Sequence, residues 1–225
     1  MKKSQFIEGG IMKIEGIMVS KKATAWDKFR FISGAKSKDQ TRFQMTGIRI
    51  ERAKDKTLLI STDGRRLHIA TLDTLDIEPG DYMVKENTRD FMILYPMDNG
   101  QYPNWRKIVE CLDTQKHFKI ELNATNKGAL SQTIFSLFKA TNAVINIEYL
   151  EPLSAIANPT WDVYFNHKEK AHTFVNGDLM AIIMPMQSES QEIKVEDTVQ
   201  IPSFVELKAI EDKTEKSAKR IKKAA

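Results

Sequence analysis

Side chains able to do chemistry are spread thinly along this chain, and the densest group is cationic. Between residues 21 and 42 lie seven cations, Lys21, Lys22, Lys28, Arg30, Lys36, Lys38 and Arg42, against only Asp27 and Asp39. Such a cluster can hold a polyanion through phosphate contacts, which carry no sequence information and weaken as salt rises. A solvated helix flank accounts for the same charges. A second pair, Arg65 and Arg66, directly follows Asp63-Gly64. The four histidines, His68, His117, His167 and His172, fall in separate segments, and no cysteine or close histidine pair completes a zinc set. No glycine-rich phosphate loop follows a strand pattern, and no Gly-x-Ser-x-Gly elbow is present. Acid pairs such as Asp73 with Asp76, or Glu211 with Asp212, read as turns and solvated surface. The pattern predicts no catalytic residue, no metal site and no cofactor.

The elements that must position these groups come from an ordinary composition. At 225 residues, 41% hydrophobic and 28% charged, the chain is long enough for one or two domains with a core of their own. The single cysteine, Cys111, excludes an internal disulfide and fits a reducing cytoplasm. No apolar run approaches the ~18 residues that would suggest a membrane span. No apolar signal region follows the basic N-terminus. The net charge of +4 permits a polyanionic partner without demanding one.

Residues 57–72 organise the rest. They open with the apolar run Leu58-Leu59-Ile60, and Asp63-Gly64 then permits positive φ, hence a bulge or a hairpin with a charged turn. Upstream, residues 1–10 end in Gly9-Gly10 and read as a flexible arm, and residues 11–19 as a strand. Thr24-Ala25-Trp26-Asp27 is a capping-box variant, starting a helix with Ala25, Phe29 and Ile32 on one face and Gly34 near its end. Residues 43–52 alternate as a strand offering Phe43, Met45, Ile48 and Ile50 to a core, and residues 80–85 form another. Residues 86–112 are ambiguous: 91–95 suit a strand or a helical turn, while Asn99-Gly100 and Pro103 mark turns.

From Lys116 the pattern restarts. Residues 117–122 alternate as a strand, and Leu130, Ile134, Leu137 and Phe138 share a helix face. Residues 144–150 alternate again, and 161–165 and 172–184 supply the last strands around Asn176-Gly177-Asp178. Each half therefore reads strand, helix, then three strands, a repeat of architecture without sequence identity. Residues 188–225 read as a charged, solvated and mobile tail.

Four segments in order carry a family resemblance. Ser61-Thr62-Asp63-Gly64-Arg65-Arg66-Leu67 is similar to the Ala-Thr-Asp-Gly-His-Arg-Leu segment of the bacterial DNA sliding clamp, the beta subunit of DNA polymerase III. Arg42-Phe43-Gln44-Met45-Thr46-Gly47-Ile48-Arg49-Ile50-Glu51 resembles the strand before that segment. Tyr102-Pro103-Asn104-Trp105-Arg106-Lys107-Ile108-Val109 resembles the clamp's Phe-Pro-Asp-Tyr-Arg-Arg-Val-Leu. Ile182-Ile183-Met184-Pro185-Met186 resembles its closing Val-Met-Pro-Met, though Gln187 stands where the family usually has arginine.

The resemblance implies an α+β, DNA-clamp-like fold of two pseudo-twofold-related halves. It places one domain over residues 11–187, with halves of about 11–112 and 113–187 and with 86–112 as an insertion or connection. A competing division puts a shortened domain on either side of Cys111. Family rings contain six domains, so a ring would take six copies of a one-domain chain or three of a two-domain chain. The implied function is a non-catalytic processivity factor, tethering DNA polymerase or other replication and repair proteins to double-stranded DNA. The alternative is a clamp-fold adaptor that binds protein partners without encircling DNA.

By the same resemblance, helix cations face DNA, which assigns that role to Lys21, Lys22, Lys28, Arg30, Lys36, Lys38 and Arg42. An apolar groove for linear partner peptides falls to Thr62, Gly64, Arg65, Arg66, Leu67, Met184, Pro185 and Met186, joined by Pro103 and Arg106. Gln200-Ile201-Pro202-Ser203-Phe204 itself loosely resembles the Gln-Leu-Ser-Leu-Phe peptides that clamps bind.

Overall fold

From the N-terminus the chain forms β1 (Gln5–Glu8), β2 (Ile11–Lys13) and β3 (Ile17–Ser20), then α1 (Trp26–Ser33) and a 3-10 segment, Gln40–Met45. There follow β4 (Gly47–Ala53), β5 (Lys56–Thr62), β6 (Arg66–Asp73), β7 (Gly80–Asn87), β8 (Phe91–Pro96) and α2 (Trp105–Glu110). The second half holds β9 (Lys116–Glu121), α3 (Lys127–Thr141), α4 (Ile147–Ser154), β10 (Thr160–Phe165), β11 (His172–Asn176) and β12 (Leu179–Ile183). This computed structural model describes residues 5–8, 11–13, 16–73, 75–97, 101–112, 116–122 and 127–186. All lie within one unit, Met1–Gln187. The 188–225 tail and its Gln200–Phe204 motif lie outside the described residues.

The strands make one sheet in the order β1-β2-β3-β8-β7-β4-β5-β6-β12-β11-β10-β9. Its symmetry is centred on the antiparallel β6–β12 seam, where Leu67 faces Ile182 and Arg66 faces Ile183. On one side run β12, β11, β10 and β9; on the other run β6, β5, β4 and, beyond an inserted β7–β8 hairpin, β3. The insertion of the first half is therefore that hairpin, and residues 80–87 belong to it rather than to the three-strand set. That set is β4, β5 and β6, because residues 57–72 fold as a hairpin with Thr62 opposite Leu67. β1, from the N-terminal arm, pairs antiparallel with β2, and residues 11–19 form two strands, β2 and β3, rather than one.

Alternation along the strands splits the apolar residues into two layers. On one face Ile48, Ile50, Leu59, Ala70, Phe174, Ala181 and Trp161 pack with Phe29, Phe31 and Ile32 of α1, Leu130 and Leu137 of α3, and Leu150 and Leu153 of α4. On the other face Ile60, Leu67 and Ile182 pack with Tyr102 and Trp105. The segment 101–112, holding α2, is thus a patch over the middle of the outer face.

Several local expectations are overturned, two of them by a nearby polar side chain. Thr24 makes no cap: Ala25 is the N-cap of α1, without a side-chain hydrogen bond, although Ala25, Phe29 and Ile32 are buried as expected. Phe43 is 44% exposed because Asp39 accepts the Thr41 N–H at 2.9 Å and winds residues 40–45 into the 3-10 segment. Residues 147–154 are helical rather than extended, since the Asn146 side chain accepts the Glu148 N–H at 3.0 Å. Phe138 of α3 points outward at 40% exposure.

Candidate functional site

The loop joining β5 to β6 is built by its own side chains. Gly64 has φ +88, which no other residue type adopts without strain. The Asp63 carboxylate accepts from the Arg65 and Arg66 N–H groups at 2.9 and 3.0 Å. Thr62 Oγ1 accepts from Gly64 N–H at 3.0 Å and donates to the Arg66 carbonyl at 2.7 Å. These bonds are local, so the Thr-Asp-Gly sequence itself sets the loop's shape.

The two arginines that follow have different fates. Arg66 is buried: its Nε meets Asp63 Oδ2 at 3.0 Å, and its guanidinium lies 4.6 Å from the Tyr149 ring centre. Its Nη1 donates to the Glu148 carbonyl at 2.9 Å. That carbonyl would ordinarily accept the N–H four residues on, but Pro152 stands there and has none. Arg66 therefore completes α4. Arg65 is exposed and forms no ion pair with a described residue.

The β6–β12 seam carries this loop to the end of β12, where Met184 N–H donates to the Arg65 carbonyl at 2.9 Å. A groove of about 270 Å³ results, lined by Thr62, Gly64, Arg65, Arg66, Leu67, Ile108, Ile182 and Met184. Leu67 and Ile182 form a buried floor, while Ile108 and Met184 are 41% and 44% exposed at the rim. This volume suits one or two apolar side chains.

Ile108 and Ile182 were not among the expected lining residues. Ile182 comes beside Leu67 through the β6–β12 pairing, which no local pattern encodes. Ile108 follows Trp105 by three positions, so both project from one side of α2.

Four expected members lie elsewhere. Pro185 is buried, and Met186 is 53% exposed, with its N–H donating to the Val144 carbonyl at 2.7 Å. Pro103 and Arg106 line a separate polar hollow with Arg49, Glu51, Tyr102 and Trp105. There Glu51 accepts from Arg49, Trp105 and Arg106. Burial pushes the Glu51 carboxyl up, but these donors outweigh it and hold the group below its usual range.

The seven cations do not form one free row. Lys28 donates to the Thr71 carbonyl at 2.7 Å and pairs with Asp178 at 2.9 Å. Lys38 lies 3.8 Å from Glu148, and Arg42 lies 3.7 Å from Asp39 while donating to the Asp63 carbonyl. Lys36 is partly buried, and that burial, with the neighbouring charge of Lys38, lowers its ammonium pKa. Lys21, Lys22 and Arg30 are exposed and form no ion pair with a described residue. The outward face of α3 shows Phe135 at 58% exposure.

The histidines stay apart. His68 is fully buried against Phe31, His172 is buried with Nδ1 donating to the Lys170 carbonyl, and His117 bonds Asp162 at 2.7 Å. His167 is exposed. Among the described residues no group of three or more His, Cys, Asp or Glu is placed to hold a metal. No helix among them is long and apolar enough to cross a membrane.

No protein-family model matches the sequence, and no curated protein does. Solved structures do. The DNA polymerase III subunit beta of Borrelia burgdorferi superposes with a TM-score of 0.56 at 16% identity, over 78% of this chain and 66% of that one. The chain has the fold of the bacterial sliding clamps. The Bacillus subtilis sliding clamp gives a TM-score of 0.51 at 12% identity, over 72% of this chain and 62% of its own. The DNA polymerase III beta subunit of Thermotoga maritima gives 0.53 at 11%, over 82% and 75%. Against the first two, this clamp-fold chain spans less than two thirds of the partner's length.

Proposed function

We propose that this chain is a non-catalytic, sliding-clamp-like processivity factor acting in the cytoplasm. It holds linear segments of DNA polymerase or other replication and repair proteins in the groove at the β6–β12 seam, and keeps them on double-stranded DNA without reading its sequence. The observation that carries the reading is the groove. Segments more than a hundred positions apart, residues 62–67 and Met184, meet there around an apolar floor of Leu67 and Ile182. Methionine at the rim adapts to varied side chains, and a mostly preformed groove spares an extended peptide part of its ordering cost. A ring built from several copies is the assembly this reading entails.

The test is fluorescence anisotropy with a labelled Gln-Leu-Ser-Leu-Phe peptide. Ile108→Asp and Met184→Asp are suitable variants because both side chains are substantially exposed, so the fold survives the change. Each should weaken saturable binding by at least about tenfold, the cost of one lost anchor. No saturable binding by the wild-type chain up to millimolar peptide would reject the reading.

A specific observation favours a second reading, a clamp-fold adaptor that never encircles DNA. Lys28, Lys38 and Arg42 each face an acid, and α3 turns Phe135 and Phe138 outward where the first reading calls for cations. DNA binding separates the two.

A further inference from the structure

We propose that the N-terminal hairpin of β1 and β2 guards one end of the sheet. It occupies the edge of β3 that β9 of a second copy would otherwise take, and self-association follows its release. The inference rests on the assembly that the proposed function entails, and names what controls it.

The two halves begin with corresponding strands, β3 and β9, and the chain treats them differently. β9 is open: Lys116–Glu121 pair with Thr160–Phe165 of β10 in an unbroken register, and among the described residues nothing pairs with the other edge. β3 is covered by β2, with Ile11, Met12 and Lys13 opposite Val19, Met18 and Ile17. β1 then ends the sheet as a strand of 4 residues whose register shifts between Phe6 and Glu8. A short, irregular edge is a poor template, because few of its N–H and C=O groups line up with an incoming strand. The hairpin therefore replaces the regular edge of β3 with one that resists extension.

Strand direction fits the covered edge to the open one. Without β1 and β2 the 12-stranded sheet keeps ten strands, and every pairing among them is antiparallel. With an even number, β3 and β9 run in opposite directions. Set side by side, β9 of one copy and β3 of the next pair antiparallel and keep both helix layers on one face. Such a contact is head-to-tail, so it continues from copy to copy.

The hairpin is lightly held. Three residue pairs join it to β3, and Ile11, buried in the main core, pins it. A two-stranded hairpin has little stability of its own. Local opening of such an element costs less than global unfolding, so it can leave while the sheet from β3 to β9 stands.

The test is particle mass by light scattering across the micromolar range, on chains whose circular dichroism matches wild type. In a locked chain, Met12→Cys and Met18→Cys join directly opposed residues of β2 and β3 by a disulfide, and Cys111→Ser removes the competing exposed thiol. In released chains, Ile11→Asp or deletion of residues 1–13 lifts the hairpin. The released chains should grow with concentration to particles of two or more copies. The oxidised locked chain should stay at one, and reduction should return it to wild-type behaviour. Successive N–H groups of a strand point to opposite edges, so one of Phe118→Pro and Lys119→Pro removes a donor from the open edge of β9. Added to the deletion, that proline should restore the single-chain mass.

Released chains that keep the mass of the locked chain at every concentration overturn the inference. So does a locked chain that associates as the released ones do, which is the result that pairing of β9 with β9 would give. If neither released chain folds, the hairpin is only structural and the inference is overturned. Peptide anisotropy on the locked chain keeps the proposed function apart. A chain that takes the peptide but ignores the hairpin loses this inference alone, and one that associates on release but takes no peptide loses that reading alone.

Discussion

At the scale of single residues, Arg65 and Arg66 look alike in sequence and do opposite work in the fold. Replacing Arg66 by Ala strands the Asp63 carboxylate and the Glu148 carbonyl together, and should lower the unfolding free energy by about 3 kcal/mol. Arg65→Ala should leave urea midpoints within about 0.5 kcal/mol, as exposed substitutions do. Equal midpoints for the two variants would refute this division. The sequence does show that residues 62–67 form a turn with cations, because Asp-Gly and the Thr hydroxyl act locally. It does not show which arginine is buried, since that depends on Pro152 having removed a donor 86 positions away.

A second residue-scale consequence concerns acid. His68 is fully buried, stacked on Phe31 at 4.3 Å, and its Nδ1 must donate to the Phe31 carbonyl, leaving Nε2 without a partner. Burial, opposed by that hydrogen bond and assisted by the Arg66 charge, lowers its pKa from 6.5 to about 3. The unfolded chain therefore takes up this proton below pH 6.5 while the folded chain refuses it down to about pH 3. Stability is present above 6.5 and is lost as pH falls through that window, approaching about 1.4 kcal/mol per pH unit. Burial lowers His172 in the same direction. The lowered carboxyls of Asp39, Glu51, Asp73 and Asp162 start from 3.8 to 4.5, so urea midpoints compared just below neutrality report histidines alone. His68→Gln should flatten that slope; an unchanged slope would show that His68 is not its source.

At the scale of elements, the helix layer depends on one close approach. A Cβ on Gly34, which ends α1, would sit 2.5 and 2.6 Å from the Pro152 ring of α4. A proline ring cannot swing aside as a flexible side chain can, so Gly34→Ala must push α1 and α4 apart. Thermal denaturation should register a loss of about 1–3 kcal/mol, the usual cost of overpacking. No loss would mean that the α1–α4 contact is soft. The same pair shows why elements were only partly legible. Residues 144–150 alternate as a strand would, yet Asn146 caps a helix there, and seven residues are too few to separate a period of 2 from one of 3.6. Residues 43–45 likewise alternate, but Asp39 captures the chain into a 3-10 turn before β4 begins. Strongly patterned elements such as α1, β9 and β12 had no competing polar capture and fell close to where their periodicity put them.

At the scale of the whole molecule, the repeated halves were visible as order of elements, whereas the strand pairing that joins them was not. The pairing of β6 with β12 joins residues more than a hundred positions apart, and nothing local encodes it. That seam also sets the sidedness of the molecule, with α2 and the groove on one face and α1, α3 and α4 on the other. A duplex held by the helix face would meet few unpaired cations, chiefly Lys21, Lys22 and Arg30, since Lys28 is tied to Asp178 and Thr71.

Binding through those three side chains should be weak and sequence-independent. The logarithm of affinity should fall against the logarithm of salt with a slope near 0.9 per phosphate contact, so about 3 in all. Reversing Lys21, Lys22 and Arg30 to Glu should abolish it, whereas Lys28→Gln should leave the slope unchanged. Filter binding with a mixed-sequence duplex, paired with light scattering to give the number of chains per particle, reads both terms. A ring requires a mass of several chains and a slope that multiplies with copy number. A monomer whose binding survives the triple reversal would remove the helix face from DNA contact and leave the adaptor reading, with its groove intact, as the one that holds.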